Sequence, residues 1–177
     1  MPSFKSISFI AFGIIIGLLG VALNKPDTFR VERSVVIKAP AEKVFPLIND
    51  LHNFIRWSPY DKRDPAMQRT FSGADNGVGA VYAWAGNNDV GVGQMQIINT
   101  LVPSRIVMQL DFSQPLEAHN SVEFLIAPQP DGTRVMWAME GPLPFASKLM
   151  SIFFNIDTMV GQDFEQGLAN LKTLAEQ

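Results

Sequence analysis

The stretch VGQDFEQGLANLKTLA, residues 160–175, decides the fold. Its apolar residues recur every three or four positions, which is the period of an amphipathic α-helix. These apolar residues are Val160, Phe164, Leu168, Leu171 and Ala175, and the opposite side carries Asp163, Glu165, Gln166, Asn170 and Lys172. The pattern predicts a long C-terminal helix with one buried stripe. It allows the helical tract to begin as early as Leu143, with an irregularity at residues 155–157.

The chain before this helix alternates with period two, the pattern of half-buried strands. The predicted strands are Phe29–Ile37, Ala66–Ser72, Val78–Ala85, Val90–Leu101, Arg105–Phe112, Ser121–Ala127 and Thr133–Glu140. Tight turn signals separate several of them, such as Asp75-Asn76-Gly77. Seven strands at short spacing predict an antiparallel sheet. The long helix then buries its stripe across the concave face of that sheet, which makes the fold α+β.

A shorter helical region lies between the first two strands. Ala39-Pro40-Ala41-Glu42 predicts a helix start, because proline suits the first turn and an acid there complements the helix dipole. Pro46 is expected to kink or end that helix. Residues 49–65 indicate a second short helix followed by an ordered loop.

Composition excludes several function classes. The 177 residues contain no Cys and two His, so thiol catalysis, disulfides and Cys-ligated metal are absent, and a His-based metal site has little support. No cofactor is predicted. The formal net charge of −3 does not fit a nucleic-acid-binding protein.

Residues 7–23, ISFIAFGIIIGLLGVAL, form an uncharged apolar run. At about 1.5 Å per residue a helix of this length nearly spans the hydrocarbon core of a bilayer. We therefore predict a single-pass N-terminal membrane anchor over residues 1–26 and a folded domain over residues 27–177. A signal peptide cleaved near Gly20-Val21-Ala22 and a buried core helix are the alternatives. The flanking basic residues leave open on which side of the membrane the domain lies.

Three groups of residues resemble the SRPBCC superfamily, which includes START domains, the birch pollen allergen and polyketide cyclases. They are Arg33-Ser34-x-x-Ile37-x-Ala39-Pro40-Ala41, the run from Trp57-Ser58-Pro59 to Gly91-x-Gly93, and Gly161-x-Asp163-Phe164-x-x-Gly167-Leu168. The likeness extends from residue 29 to residue 175 and is strongest to the bacterial polyketide cyclase/dehydrase and lipid-transport branch. The resemblance implies a helix-grip fold, in which a seven-stranded curved antiparallel sheet wraps around the C-terminal helix. A bacterial inner-membrane location is the matching expectation.

A helix-grip fold implies an elongated cavity between sheet and helix, suited to a largely apolar ligand. The predicted wall residues are Trp57, Trp84, Met95, Met108, Phe112, Phe124, Trp137 and Met139 from the sheet side, and Phe153, Met159, Val160 and Phe164 from the helix side. Plain core packing is the alternative for each of them, because strand parity does not separate a cavity wall from a filled core.

Few polar residues are candidates for chemistry. Asp157 shares the apolar side of the C-terminal helix, with an N-cap role as the alternative, and His52 lies in the loop near the expected cavity mouth.

We therefore predict a membrane-tethered module that holds or transfers a lipid-like or polyketide-like molecule. A cyclase or dehydratase in the same cavity, and a non-catalytic interaction or stress module with a filled core, remain the alternatives. The oligomeric state is left open.

Overall fold

The structure is a computed structural model and describes Gly13 and residues 16–177. Seven strands are present: β1 (Thr28–Ile37), β2 (Gln68–Gly73), β3 (Ala80–Ala85), β4 (Val92–Leu101), β5 (Arg105–Gln114), β6 (Ala118–Gln129) and β7 (Gly132–Pro142). The helices are α1 (Ala41–Asn49), α2 (Leu51–Trp57), α3 (Phe145–Met150) and α4 (Ile156–Ala175), with a 3-10 turn at Tyr60–Lys62.

All seven strands form one antiparallel sheet. Its order is β1-β7-β6-β5-β4-β3-β2, so β2 to β7 run as a meander and β1 pairs with β7. Along β1, Val31 pairs with Met139 and Val35 with Val135. The predicted seven-stranded curved antiparallel sheet with a C-terminal helix is confirmed.

The last helix, α4, lies against the concave side of the sheet. Phe164, Leu168, Leu171 and Ala175 are all fully or almost fully buried, as the stripe predicted. The helical tract does not continue unbroken from Leu143, because α3 ends at Met150 and residues 151–155 turn the chain. Asn155 begins α4, since its side-chain oxygen accepts a hydrogen bond from the Thr158 backbone N–H at 3.2 Å.

Two short helices fill one end of the concave side. Pro40 lies at the N-cap of α1, and α1 continues past Pro46 to Asn49, so the helix does not end at this proline. The proline removes one backbone donor, but Val44, Phe45 and Ile48 bury the apolar face of α1 and hold it in place. Asp50 then begins α2 and accepts from the His52 N–H at 2.9 Å.

Residues 16–23 are helical and lead into β1 through residues 24–27. Among the described residues no helix has both the length and the hydropathy needed to cross a bilayer. Much of the predicted anchor, residues 7–12, 14 and 15, lies outside the described residues. The anchor and the domain boundary at residue 26 stay predictions.

Candidate functional site: a cavity between the sheet and the last helix

A cavity of about 280 Å³ lies between the concave face of the sheet and the first half of α4. Its wall consists mainly of apolar and aromatic side chains: Phe54, Met67, Tyr60, Tyr82, Trp84, Val90, Met95, Leu110, Phe112, Val122, Trp137, Met139, Val160 and Phe164. Four further polar residues also line it: Ser58, Asp61, Asp89 and Asp163. A cavity of this kind suits a ligand held by apolar area and oriented by a few polar contacts.

An aromatic cluster separates the cavity from the packed core. The Trp137 ring stacks on Phe164 with centroids 4.0 Å apart, and Trp57 meets Trp137 edge to face at 5.5 Å. Trp57 also contacts Phe54 at 4.6 Å. Such contacts stabilise beyond the area they bury. The cluster therefore forms a rigid boundary between the end of the sheet filled by α1 and α2 and the hollow end.

The far wall depends on a glycine. Trp84 lies directly across from Gly93 in the β3–β4 register, and a Cβ on Gly93 would come within 2.7 Å of the Trp84 ring. Any larger residue would therefore push the indole out of its place. The Trp84 Nε1–H donates to the Val90 carbonyl at 3.0 Å, and its ring meets Phe112 edge to face. Gly93 thus marks a close approach between β4 and the Trp84 ring.

One polar group of the wall is an ion pair with a phenol attached. Asp61 accepts from Arg69 Nε at 2.8 Å and from the Tyr82 hydroxyl at 3.1 Å. Burial, together with the neighbouring Asp61 carboxylate, raises the pKa of Tyr82 far above its usual value. Tyr82 is therefore a neutral hydrogen-bond donor near neutral pH, and its hydroxyl is already paired with Asp61.

A second polar group connects the loop after α2 with α4. Arg63 forms an ion pair with Asp163, and its guanidinium lies over the Tyr60 ring at 5.3 Å. Burial, with the Asp163 charge beside it, raises the pKa of Tyr60 far above its usual value. The Asp64 carboxylate also accepts from the Asn87 N–H at 2.8 Å. The loop after α2 is thus tied to both α4 and the β3–β4 turn, and it covers the cavity.

Two buried polar atoms of the wall residues have no partner among the described residues. They are the Ser58 hydroxyl and the Trp137 Nε1–H, on side chains that are almost completely buried. Leaving a buried polar group unpaired costs about 1–3 kcal/mol, so native proteins rarely tolerate it without a reason. Both residues line the cavity, so these two atoms are the unpaired polar groups of its wall.

The structure brings most of the predicted wall residues together. Trp84, Met95, Phe112, Trp137, Met139, Val160 and Phe164 all line the cavity. That they contact a ligand stays a prediction.

Five of the predicted wall residues lie elsewhere. The prediction is wrong for Trp57, Met108 and Phe124, which pack into the solid core beside the cavity with no exposure. Met108 and Phe124 point from β5 and β6 to the concave side, where α1 packs against β6. Trp57 is the last residue of α2, and its Nε1–H donates to the Leu47 carbonyl of α1 at 2.8 Å, away from the cavity. It is also wrong for Phe153 and Met159, which are exposed. The turn at residues 151–155 and the rotation of α4 direct these two side chains away from the sheet.

The two acid–base candidates also lie outside the cavity. Asp157 is in the first turn of α4, and both of its carboxylate oxygens accept from Arg33 at 3.0 Å on the surface. Asn155 is the N-cap instead, so the alternative role of Asp157 is not met either. The His52 side chain is exposed; its Nδ1 lies 3.0 Å from Asp50 Oδ1, and its ring stacks on Phe71. Neither residue contacts the space where a ligand would react.

Several wall residues were not predicted from the sequence. Tyr82, Leu110 and Val122 share strand parity with predicted neighbours, so the period-two pattern contained the signal for them. The loop residues Ser58, Tyr60, Asp61 and Met67 carry no periodic signal, because their position depends on how the loop after α2 folds back. Within the described part of the chain, no cluster of three or more His, Asp or Glu could hold a metal ion.

This arrangement, a curved antiparallel sheet gripping a C-terminal helix around an apolar cavity, defines a helix-grip protein. The chain belongs to the family described as polyketide cyclase/dehydrase and lipid transport, whose model matches residues 28–176. No curated protein matches the sequence.

Solved structures share the fold at low identity. Protein CV1439 from Chromobacterium violaceum is 20% identical with a TM-score of 0.60, over 86% of this chain and 99% of that one. The Aha1 dimer structure from Colwellia psychrerythraea is 15% identical with a TM-score of 0.56, over 84% and 96%. The di-domain ARO/CYC protein BexL from the BE-7585A biosynthetic pathway is 15% identical with a TM-score of 0.62, over 99% of this chain and 62% of BexL. At these identities the likeness establishes the fold alone.

Proposed function

We propose that the domain holds or transfers a hydrophobic small molecule, lipid-like or polyketide-like, in the cavity between the sheet and α4, and that residues 7–23 tether it to a membrane. The observation that carries the proposal is the apolar cavity itself. Complete packing is the rule in protein interiors, and voids larger than a water molecule are few. A cavity of about 280 Å³ is far larger than that.

The size of the cavity limits which ligands fit. Ligand pockets run from about 300 to 1,000 Å³, so this one lies at the small end. A single acyl chain of moderate length or a compact ring system fits this volume better than a lipid with two full chains.

The unpaired polar atoms limit the chemical class of the ligand further. Trp137 Nε1–H is a donor only, and the Ser58 hydroxyl both donates and accepts. A carbonyl or hydroxyl oxygen that reaches either group would pair with it, whereas a pure hydrocarbon leaves both unpaired. We therefore propose a ligand with an apolar body and one oxygen function at the Ser58–Trp137 end.

The tether would supply the ligand. Of the 14 basic residues, Lys5 and Lys25 precede the domain, which leaves residues 27–177 with 12 basic and 17 acidic residues and a net charge of −5. An acidic domain is not drawn to anionic lipid by charge. A covalent anchor instead raises the local concentration of any ligand that partitions into the membrane.

Photolabelling tests the proposal. The full-length chain in phosphatidylcholine nanodiscs is irradiated with a ten-carbon methyl ketone that carries a diazirine, and the adducts are mapped by peptide mass spectrometry. We expect adducts on wall residues such as Leu110 and Met139. Val160→Trp should reduce these adducts about tenfold, because the indole would occupy part of the space that the ligand needs, and a loss of about 1.4 kcal/mol in binding free energy is tenfold in affinity.

A nearby residue of α4 provides the matched control. Gln162→Trp, two positions along α4, adds the same side chain at an exposed position outside the cavity wall and should leave the cavity adducts unchanged. Adducts that avoid the wall residues, or that are equally abundant in Val160→Trp, would overturn the proposal. An alkane diazirine of the same length tests the oxygen: Ser58→Ala and Trp137→Phe should each reduce labelling by the ketone but not by the alkane.

The two residues on which the cyclase or dehydratase alternative depended do not lie in the cavity. His52 and Asp157 were the groups expected to move protons, and both lie on the outer surface in ion pairs or hydrogen bonds. On the wall, Asp61 and Asp163 are each paired with an arginine. No specific observation therefore favours a reaction over binding.

A further inference from the structure

A cluster of exposed apolar side chains surrounds the turn between α3 and α4. Met150, Phe153, Phe154 and Met159 are 55%, 68%, 58% and 59% exposed. We call these four residues the α3–α4 surface. Large apolar side chains concentrated within ten residues are unusual on a soluble surface and mark a site of interaction. None of the four belongs to the cavity wall.

The chain that leaves the domain toward the predicted anchor passes beside this surface. Lys25 Nζ donates to both the carbonyl and the hydroxyl of Ser151 at 2.8 Å. Asp27 accepts from Lys148 Nζ at 2.5 Å, and its carbonyl accepts from the Leu143 N–H at 2.7 Å. These bonds hold residues 25–27 against α3 and the turn that follows it.

The length of the connecting chain limits how far the predicted membrane segment can lie from the α3–α4 surface. Leu23 is the last helical residue of the N-terminal segment and lies two residues before Lys25. Two residues span at most about 7 Å, so the end of the apolar run lies close to Ser151 and the α3–α4 surface. Residues Ile16, Val21 and Leu23 of that run are themselves exposed.

We infer that the α3–α4 surface docks onto the lipid bilayer in which residues 7–23 are anchored, with Phe153 and Phe154 inserted at the interface. The inference rests on the membrane tether of the proposed function. A segment bound to the domain on one side and inserted in lipid on the other brings its neighbouring surface to the headgroups. Aromatic rings favour that depth, where an apolar body is buried in the interface.

Charge is consistent with an apolar mode of docking. The domain carries a net charge of −5, so docking depends on apolar insertion rather than on attraction to anionic lipid. The docked surface includes Met159, whose neighbour Val160 lines the cavity. Docking therefore places the hollow end of α4 next to the membrane from which a hydrophobic ligand would come.

The absence of cysteine makes a direct depth measurement possible. Phe153→Cys, Phe154→Cys, Leu19→Cys and Leu116→Cys are each introduced into the full chain and labelled with an environment-sensitive fluorophore. Leu116 is the matched control, since it is 67% exposed but lies in the β5–β6 turn. The chain is placed in phosphatidylcholine nanodiscs with and without brominated acyl chains.

We expect blue-shifted emission and loss of fluorescence to bromine at positions 153, 154 and 19, and neither at position 116. Phosphatidylserine should add little to the shift. If position 19 is quenched while 153 and 154 behave like 116, the tether stands and the docking is overturned. If no position is quenched, the tether and the docking both fail, whereas cavity labelling by the ketone would still report on ligand binding separately. Quenching at 116 as well would indicate collapse of the whole domain onto lipid and would also overturn a specific surface.

Discussion

The two halves of α4 are alike in sequence pattern and differ in what they contact. From Leu168 to Ala175 the stripe is buried against β1, α1 and α2 in a solid core, while Phe164 borders the cavity. Before Phe164, Val160 faces a cavity and Met159 faces outward. The C-terminal half of α4 is therefore packed in the core, and its N-terminal half forms one wall of the cavity.

The difference shows that the sheet is wider than its helical cover. α1 packs against β6 and β7 on the concave side, where Phe124 is fully buried. In front of β3, β4 and β5 a cavity remains between the strands, the first half of α4, the loop after α2 and Phe54 at the edge of α2. Large side chains such as Trp84 and Phe112 line that space without filling it.

Truncating one apolar side chain in each half of α4 should give the largest difference in the free energy of unfolding. Leu171→Ala should lower the free energy of unfolding by about 2–5 kcal/mol, because it opens a cavity in a closed core. Val160→Ala should lower it by about 1 kcal/mol or less, because that side chain already borders a void. Urea titration of the full chain in one mild detergent measures both. Equal losses would contradict the division of α4 into a packed and a hollow half.

Two glycines of α4 offer a subtler contrast. A Cβ on Gly167 would lie 2.7 Å from the Trp137 ring and 3.1 Å from Pro59, both held in the core. Gly167→Ala should therefore lower the free energy of unfolding by about 1–3 kcal/mol.

Gly161 is the control for that substitution. There a Cβ would meet only the guanidinium of Arg33, at the end of a flexible side chain. Gly161→Ala should be near neutral, because the displaced surface ion pair is offset by the better helix propensity of alanine. The same urea titration compares the two variants, and a stable Gly167→Ala protein would mean that α4 does not press on Trp137.

The smallest effect concerns the surface ion pair at the hollow end. The Arg33 guanidinium beside Asp157 lowers the pKa of that carboxyl from its ordinary value of 3.8. A lowered pKa in the folded state gives stability that is present above pH 3.8 and is lost as the pH falls through the folded value. Asp157→Asn should therefore be slightly less stable than the native chain at pH 7, and the difference should shrink below about pH 4. Urea midpoints at several pH values measure this, and a difference that persists unchanged in acid would rule out the pairing as its source.

Much of the fold was predictable because its signals are local and repeated. The period-two runs identified all seven strands, and the stripe from Val160 to Ala175 identified α4. The break at residues 151–155 was harder to predict, because Phe153 and Phe154 are as apolar as core residues. The helix did not end at Pro46, because burial of its apolar face outweighs one lost hydrogen bond.

The site was predictable only in part. Strand parity indicates which side chains point to the concave face, and it placed Trp84, Met95 and Phe112 there correctly. Strand parity does not distinguish the cavity wall from the core, which is why Met108 and Phe124 were assigned to the cavity. Trp57 lies at the end of α2, where no strand period applies. Asp61 and Ser58 reach the site from a loop, and loops carry no period.

The amino-acid sequence alone determined the order of strands and helices, the face that each one buries and the family to which the chain belongs, because periodicity and short motifs depend on neighbours in the chain. The tertiary structure decided where the cavity lies, which polar groups line it and which apolar residues remain exposed beside the predicted membrane segment. Those features depend on whether distant elements fill the space between them, and that is a matter of packing volume in three dimensions.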